Sequence, residues 1–189
     1  MWNAAALTGN KLDRVAYLAD PKTNPGVVRG KVVITRVAGM NAATRDGFAT
    51  AMKGLGALGR HVLRSGDVED SERFCFYLSG GYKAAIPYLI GLAEGVRSLN
   101  PERPVSAFVL HESATEKTGL IQLPLRYLPA ERVRYELSKF DENGKGTEVP
   151  EEGVLEGYAY ELEGRKYRLN AFGAGLVTLF GLDTIGLPG

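Results

Sequence analysis

The chain has little of the chemistry that disulfide, thiol and metal sites require. Its 189 residues include one cysteine, Cys75, and two histidines. Neither a disulfide framework nor a Cys/His metal cluster can be assembled from so few ligands. Cys75 lies in an apolar run, where a buried and inert thiol is expected rather than a nucleophile. The sequence therefore predicts no metal ion and no cofactor.

Excess charge and long apolar segments are also missing. A formal net charge of +1 argues against a broad DNA-binding face, which needs clustered Lys and Arg. No stretch resembles a secretory signal or a membrane span, so we expect a cytoplasmic protein without membrane association. The hydrophobic fraction of 44% is ample for the core of one ordinary domain, with room for a small appendage.

Apolar runs and helical patterns alternate through the first two thirds of the chain. Strands are expected at residues 14–18, 31–37, 73–78, 104–110 and 120–125, and helices at about 41–65 and 82–99. This alternation predicts an α/β domain over residues 1–128, with a mainly parallel sheet and flanking helices. Residues 129–189 are expected to add a small appendage made of a β-hairpin at 157–169 and a helix at 171–182.

The junction after the third predicted strand carries the strongest functional signal. Gly80 and Gly81 let the backbone turn sharply and approach a ligand closely, and Ser79 and Lys83 flank that position. The helix that follows would point free N–H groups, at its positive dipole end, toward the same place. These features predict a phosphate site at the carboxyl end of a strand. The alternative is that the glycines only allow close packing and that Lys83 is solvated.

Two common nucleotide-binding motifs do not account for this junction. The spacing of a P-loop is absent, and the G-x-G-x-x-G pattern at residues 54–59 lies inside a helical run with no strand before it. Ligands of parallel sheets bind beyond the carboxyl ends of the strands. Met40 and Asn41 follow the second predicted strand, and Glu112 follows the fourth, so we expect them beside the Ser79–Lys83 loop.

These segments resemble a known family. A strand ending in Ser79-Gly80-Gly81-Tyr82-Lys83-Ala84 and followed by an I-P-Y-L helix is similar to the CRISPR-associated Rossmann-fold (CARF) domains. Further similarity lies in three places, namely Gly39-Met40 with Phe48, Val105–Glu112 and Leu120–Leu125. The resemblance covers roughly residues 14–126.

The resemblance implies a Rossmann-like domain that binds cyclic oligoadenylate, the second messenger of type III CRISPR antiviral defence. It further implies a homodimer, with a tetra- or hexa-adenylate ring across its two-fold axis. The residues expected to contact that ring are Ser79, Gly80, Gly81, Tyr82, Lys83, Met40, Asn41 and Glu112. One departure is that no counterpart of the family's first strand and ligand loop precedes Arg14. This implies either a truncated chain or a half-site supplied by a partner.

The sequence leaves three functions open. The first is a messenger-binding sensor or regulator, because no effector motif is found after residue 126. The second is a metal-independent ring nuclease with Lys83 and Ser79 as catalytic residues, in which a ribose 2′-hydroxyl attacks the neighbouring phosphate and Lys83 stabilises the phosphorane. The third is a degenerate scaffold of this family, or an unrelated nucleotide-binding protein.

Overall fold

The structure is a computed structural model, and it describes separate ranges of the chain. These ranges are residues 15–18, 32–35, 37–39, 44–64, 73–78, 85–110, 119–146 and 153–184, with the backbone alone at 15–18, 32–35, Arg45 and Leu110. Strands β1 (Val15–Leu18) and β2 (Val32–Thr35) form a parallel pair in which Val15 lies opposite Val32. The two predicted amino-terminal strands are therefore confirmed as strands.

Helix α1 (Arg45–Arg64) begins with a capping threonine. The Thr44 Oγ1 atom accepts a hydrogen bond from the Gly47 N–H at 3.0 Å, which satisfies one of the free donors of the first turn. Just before this helix, Gly39 has a φ of +80°, and a Cβ at that position would run into the Gly47 carbonyl. The turn before α1 therefore requires glycine at residue 39 for both its backbone conformation and its close contact.

A strand–helix–strand unit forms the centre of the chain. It consists of β3 (Phe74–Tyr77), α2 (Ile86–Leu99) and β4 (Val105–Leu110), and β3 and β4 are parallel with Phe74 opposite Val105. A fifth strand, β5 (Leu120–Leu123), pairs with the other side of β4. On one face of this sheet, Phe74, Phe76 and Val105 pack against the hydrophobic core.

The carboxyl-terminal third contains two helices and a small sheet. Its elements are α3 (Ala130–Leu137), β6 (Lys145–Gly146), β7 (Tyr160–Glu163), β8 (Lys166–Leu169), α4 (Ala171–Phe180) and a short 3₁₀ turn (Leu182–Thr184). The strands lie in the order β6-β8-β7, and all pairs are antiparallel. The predicted hairpin is confirmed, with Gly164 at a φ of +69° in its turn.

Helix α4 lies at the centre of the core. It is almost wholly apolar, it packs against α1 and α2, and a Cβ on Gly56 of α1 would run into the carbonyl of Gly175. The buried cluster consists of Val96, Val133, Leu137, Leu155, Ala159, Tyr160, Tyr167, Phe172, Leu176, Leu179 and Phe180. Most of these residues follow position 129. The predicted domain boundary at 128/129 stays a prediction, and extensive contacts cross it.

The predicted Rossmann-like, mainly parallel sheet is wrong. Among the described strands, β5 runs antiparallel to β4, with Ala107 opposite Leu123, and the central sheet holds only one parallel pair. The physical reason is the length of the connection. Residues 111–119 are fewer than the dozen or more that a parallel crossover needs, so the chain returns beside β4 in the opposite direction.

Candidate functional site

The carboxyl ends of β3 and β4 lie side by side. The Leu78 N–H, directly after β3, donates a hydrogen bond of 2.8 Å to the Phe108 carbonyl of β4. The chain therefore leaves β3 at Leu78 and leaves β4 at Leu110 along the same edge of the sheet. In the sequence, Ser79 follows the first of these exits and Glu112 follows the second. We call this edge the carboxyl edge.

The first turns of α1 and α2 also meet. The ring of Phe48, early in α1, and the ring of Tyr88, early in α2, are in edge-to-face contact with centroids 4.7 Å apart. Such contacts add stabilisation beyond the area that the rings bury. The contact between Phe48 and Tyr88 therefore holds the first turns of α1 and α2 together. The segment that carries Met40 and Asn41 leads into the first helix, and the Ser79–Lys83 segment leads into the second.

All eight predicted site residues lie outside the described residues. They are Met40, Asn41, Ser79, Gly80, Gly81, Tyr82, Lys83 and Glu112. The structure does describe positions that flank them in the sequence, namely Gly39, Thr44, Leu78 and Ala85. The roles assigned to the eight residues therefore stay predictions, while their attachment points to the sheet and helices are described.

The start of α2 suits a negatively charged neighbour. Within the described residues, its cap position, Ala85, makes no side-chain capping bond, and the first turn contains no acidic residue. Pro87 stands in that turn, where its missing N–H costs least. The remaining N–H groups of the turn carry the positive end of the helix dipole. Nothing in the described first turn competes with an anion for these donors.

A buried glutamate on α2 was missed by the sequence analysis. The Glu94 carboxylate accepts hydrogen bonds from the Arg126 backbone N–H at 3.0 Å and from the Arg126 guanidinium at 3.0 and 2.9 Å. It also accepts one from the Tyr158 hydroxyl, and the Arg126 guanidinium lies over the Tyr158 ring, 4.2 Å from its centroid. Glu94 therefore ties α2 to two later parts of the chain.

The electrostatics of this cluster favour a charged Glu94. Burial acts to raise the pKa of the Glu94 carboxyl, but the hydrogen bonds from Arg126 and Tyr158 and the Arg126 charge outweigh it, so the pKa is lowered. The hydrogen bond to Glu94 raises the pKa of Arg126. Burial, with the carboxylate of Glu94 beside it, raises the pKa of the Tyr158 hydroxyl. Tyr158 therefore remains a protonated donor.

A second buried glutamate organises the segment around β7. Glu136 of α3 accepts hydrogen bonds from the Arg132 guanidinium at 2.7 Å and from the Val154 and Leu155 backbone N–H groups, each at 3.0 Å. The Tyr160 hydroxyl donates a further bond of 2.9 Å, and burial and this bond raise the pKa of that hydroxyl. Both oxygens are engaged. We therefore assign Glu136, like Glu94, to the fold rather than to catalysis.

The sequence contains only a faint signal for these two carboxylates. That signal is the position of Glu94 between Ala93 and Val96, which are both part of the apolar pattern of α2. Its partners are 32 and 64 residues away in the sequence. A single sequence offers no means of connecting positions so far apart.

A cleft opens at the opposite end of the sheet. It has a volume of about 470 Å³ and lies where β4 begins and β5 ends; its lining includes Arg97, Arg103, Gln122, Leu123 and Tyr127. The Arg97 guanidinium already donates to the Leu125 carbonyl. The cleft lies away from the carboxyl edge and contains none of the predicted site residues.

The described residues contain no group of three or more His, Cys, Asp or Glu side chains that is able to hold a metal ion. Of the helices within the described ranges, none has the length and apolar character needed to cross a membrane. Comparison with protein-family models and with curated proteins gives no match to this chain.

Proposed function

We propose that this protein binds cyclic oligoadenylate at the carboxyl edge and acts as a sensor or regulator in type III CRISPR antiviral defence. The observation that carries the proposal is the parallel β3–α2–β4 unit. Its strand exits lie together, and the Ser79–Lys83 segment connects the first exit to the first turn of α2. A resemblance in sequence thus coincides with a position where ligands of parallel strands bind.

The chemistry of the segment fits a phosphodiester ring. A cyclic oligoadenylate carries one negative charge for each linkage, and Lys83 supplies a cation for such a charge. Gly80 and Gly81 permit the backbone N–H groups to approach phosphate oxygens closely. The first turn of α2, in which the described cap residue Ala85 makes no side-chain capping bond, adds donors and the positive end of a dipole. In this proposal Ser79 and Tyr82 contact the phosphate and ribose groups, and Met40, Asn41 and Glu112 approach the adenines.

A homodimer and a cytoplasmic location belong to the same proposal. A ring with rotational symmetry is matched by two identical half-sites, each with its own Lys83. The formal net charge of +1 is compatible with this proposal. A local cluster of donors is enough to hold a small ring, and no extended basic surface is needed.

A binding titration tests the proposal. We expect cyclic tetra- or hexa-adenylate to bind the wild-type protein, and Lys83→Ala to weaken binding about 10- to 100-fold, the value of one charge-assisted hydrogen bond. Lys53→Ala is the matched control, because Lys53 is an exposed lysine of α1, and we expect it to leave the affinity unchanged. The proposal is contradicted if the wild-type protein binds neither ring. It is also contradicted if Lys83→Ala binds with the same affinity as wild type.

The same samples separate a sensor from a ring nuclease. After incubation, chromatography of the ligand either returns the intact ring, as expected for a sensor, or yields linear products. Linear products that disappear in Lys83→Ala would identify the protein as a ring nuclease.

A further inference from the structure

Strand β5 forms one edge of the central sheet and exposes apolar side chains. Within the described strands, β5 ends its sheet and pairs only with β4. Neighbouring residues of a strand point to opposite faces. Leu120 is 52% exposed and Ile121 is 48% exposed, so apolar side chains are open on both faces of this edge. An exposed apolar edge strand is a template for pairing with another strand.

A second edge of the same protein is protected and provides an internal comparison. Strand β7 ends the carboxyl-terminal sheet and also exposes a large apolar side chain, Leu162, at 57%. Exposed Glu161 and Glu163 flank this leucine. Two copies of β7 would bring like charges together, which opposes pairing. Strand β5 has no charged residue, and neither does the surrounding stretch 119–125.

We propose that two copies of this chain pair antiparallel along β5 and form one continuous sheet across a two-fold axis. Antiparallel pairing is self-complementary, since each copy offers the same pattern of backbone donors and acceptors to the other. The uncharged stretch meets itself without repulsion, and Leu120 and Ile121 become covered on the two faces. A four-residue edge buries less than a standard interface of about 1,600 Å². The dimer is therefore weak and dissociates on dilution.

This pairing does not depend on the proposed function. Because the two β5 strands run in opposite directions, the carboxyl edges of the two copies lie at opposite ends of the joined sheet. A messenger ring that bridges two copies would use a different surface. All measurements of the β5 dimer are therefore made without ligand. If the β5 pairing is not found, that result says nothing about messenger binding.

Sedimentation velocity over a series of protein concentrations tests the pairing. We expect the wild-type protein to shift from monomer to dimer as its concentration rises, and Ile121→Lys to remain monomeric throughout. Leu162→Lys is the matched control, because it places the same charge at a similarly exposed apolar position on the protected edge, and we expect it to behave like wild type. Leu120→Glu provides a second edge variant should Ile121→Lys misfold, as judged by circular dichroism.

Spin labels locate the contact directly. In a Cys75→Ser background, we expect labels at Gln122→Cys to give a short distance between copies and labels at Leu162→Cys to give a long one. The proposal is overturned by a wild-type protein that stays monomeric, by folded edge variants that still dimerise, or by a long distance at residue 122.

Discussion

The buried carboxylate of Glu94 joins parts of the chain that are far apart in the sequence. It accepts bonds from the backbone and side chain of Arg126 and from the Tyr158 hydroxyl. Its carboxylate is almost fully buried, whereas the Arg126 side chain remains 55% exposed. The stabilisation therefore comes mainly from satisfying a buried anion, and less from the attraction between two exposed charges.

Replacement of Glu94 by glutamine tests this assignment. Glu94→Gln keeps the size of the side chain but removes the charge and turns one acceptor into a donor facing Arg126. We expect the free energy of unfolding to fall by about 2–3 kcal/mol, measured by urea denaturation. As a control, Glu163→Gln breaks the exposed ion pair with Arg168 and should cost less than about 0.5 kcal/mol. Equal effects of the two variants would show that the burial of Glu94 is energetically unimportant.

The lowered pKa of Glu94 predicts how its contribution depends on pH. A carboxyl whose folded-state pKa lies below its ordinary value of 4.5 stabilises the protein fully above that value. The contribution is lost as the pH falls through the lowered folded-state pKa. We therefore expect the stability difference between wild type and Glu94→Gln to be constant near neutral pH and to shrink below about pH 4.5. Urea midpoints measured down to about pH 3 check this; a difference that grows on acidification contradicts it.

At the scale of elements, two helices meet through glycine. Gly56 of α1 lies against Gly175 of α4, and a Cβ on Gly175 would come within 2.8 Å of the Met52 carbonyl. Glycine inside a helix costs up to about 1 kcal/mol relative to alanine. Close packing of α1 against α4 in the core offsets this loss of helix propensity. The G-x-G-x-x-G pattern at residues 54–59 lies inside a helix, as predicted, and Gly56 serves a helix crossing there.

Gly56→Ala tests the crossing. The new methyl group would meet the Gly175 carbonyl, which is backbone and has little room to move. We expect destabilisation of about 1–3 kcal/mol by urea denaturation, despite the higher helix propensity of alanine. Gly54→Ala on the same helix is the control, since its Cβ would meet only a side-chain methyl of Val37 at 3.1 Å. A more stable Gly56→Ala variant would contradict the close crossing.

The strands and helices show which parts of the fold a single sequence predicts and which parts it does not. Apolar runs located β3, β4 and β5 to within two residues, because burial dictates their composition. The direction of β5 depends on the connection 111–119, and the predicted parallel arrangement ignored its short length. Helix α3 was not predicted, since its short pattern of three buried positions is diluted by charged residues such as Glu131 and Arg132.

At the scale of the whole molecule, the carboxyl-terminal third supplies most of the buried apolar cluster formed by the described residues. Leu176 and Leu179 of α4 are nearly fully buried, and Glu136 fixes the segment before β7. From the sequence this region resembled an appendage, because its elements are short and its long-range partners cannot be identified from one chain. The candidate site was predicted from the chemistry of the Ser79–Lys83 segment, from the order of the predicted strands and from a family resemblance. Only the meeting of the strand exits and of the first turns of α1 and α2 adds a long-range constraint to it.

In the proposed function, the messenger binds at the carboxyl edge and not elsewhere on the surface. Amide chemical-shift mapping of the wild-type protein, titrated with cyclic tetra- or hexa-adenylate, tests it most directly. We expect the largest shifts in the Ser79–Lys83 segment and clear shifts at Leu78 and Ala85, which flank it in the sequence. Little change is expected at Gln122 and Leu123, at the opposite end of the sheet. Shifts centred on the cleft beside Arg103 and Tyr127, with none at Leu78 and Ala85, would contradict binding at the carboxyl edge.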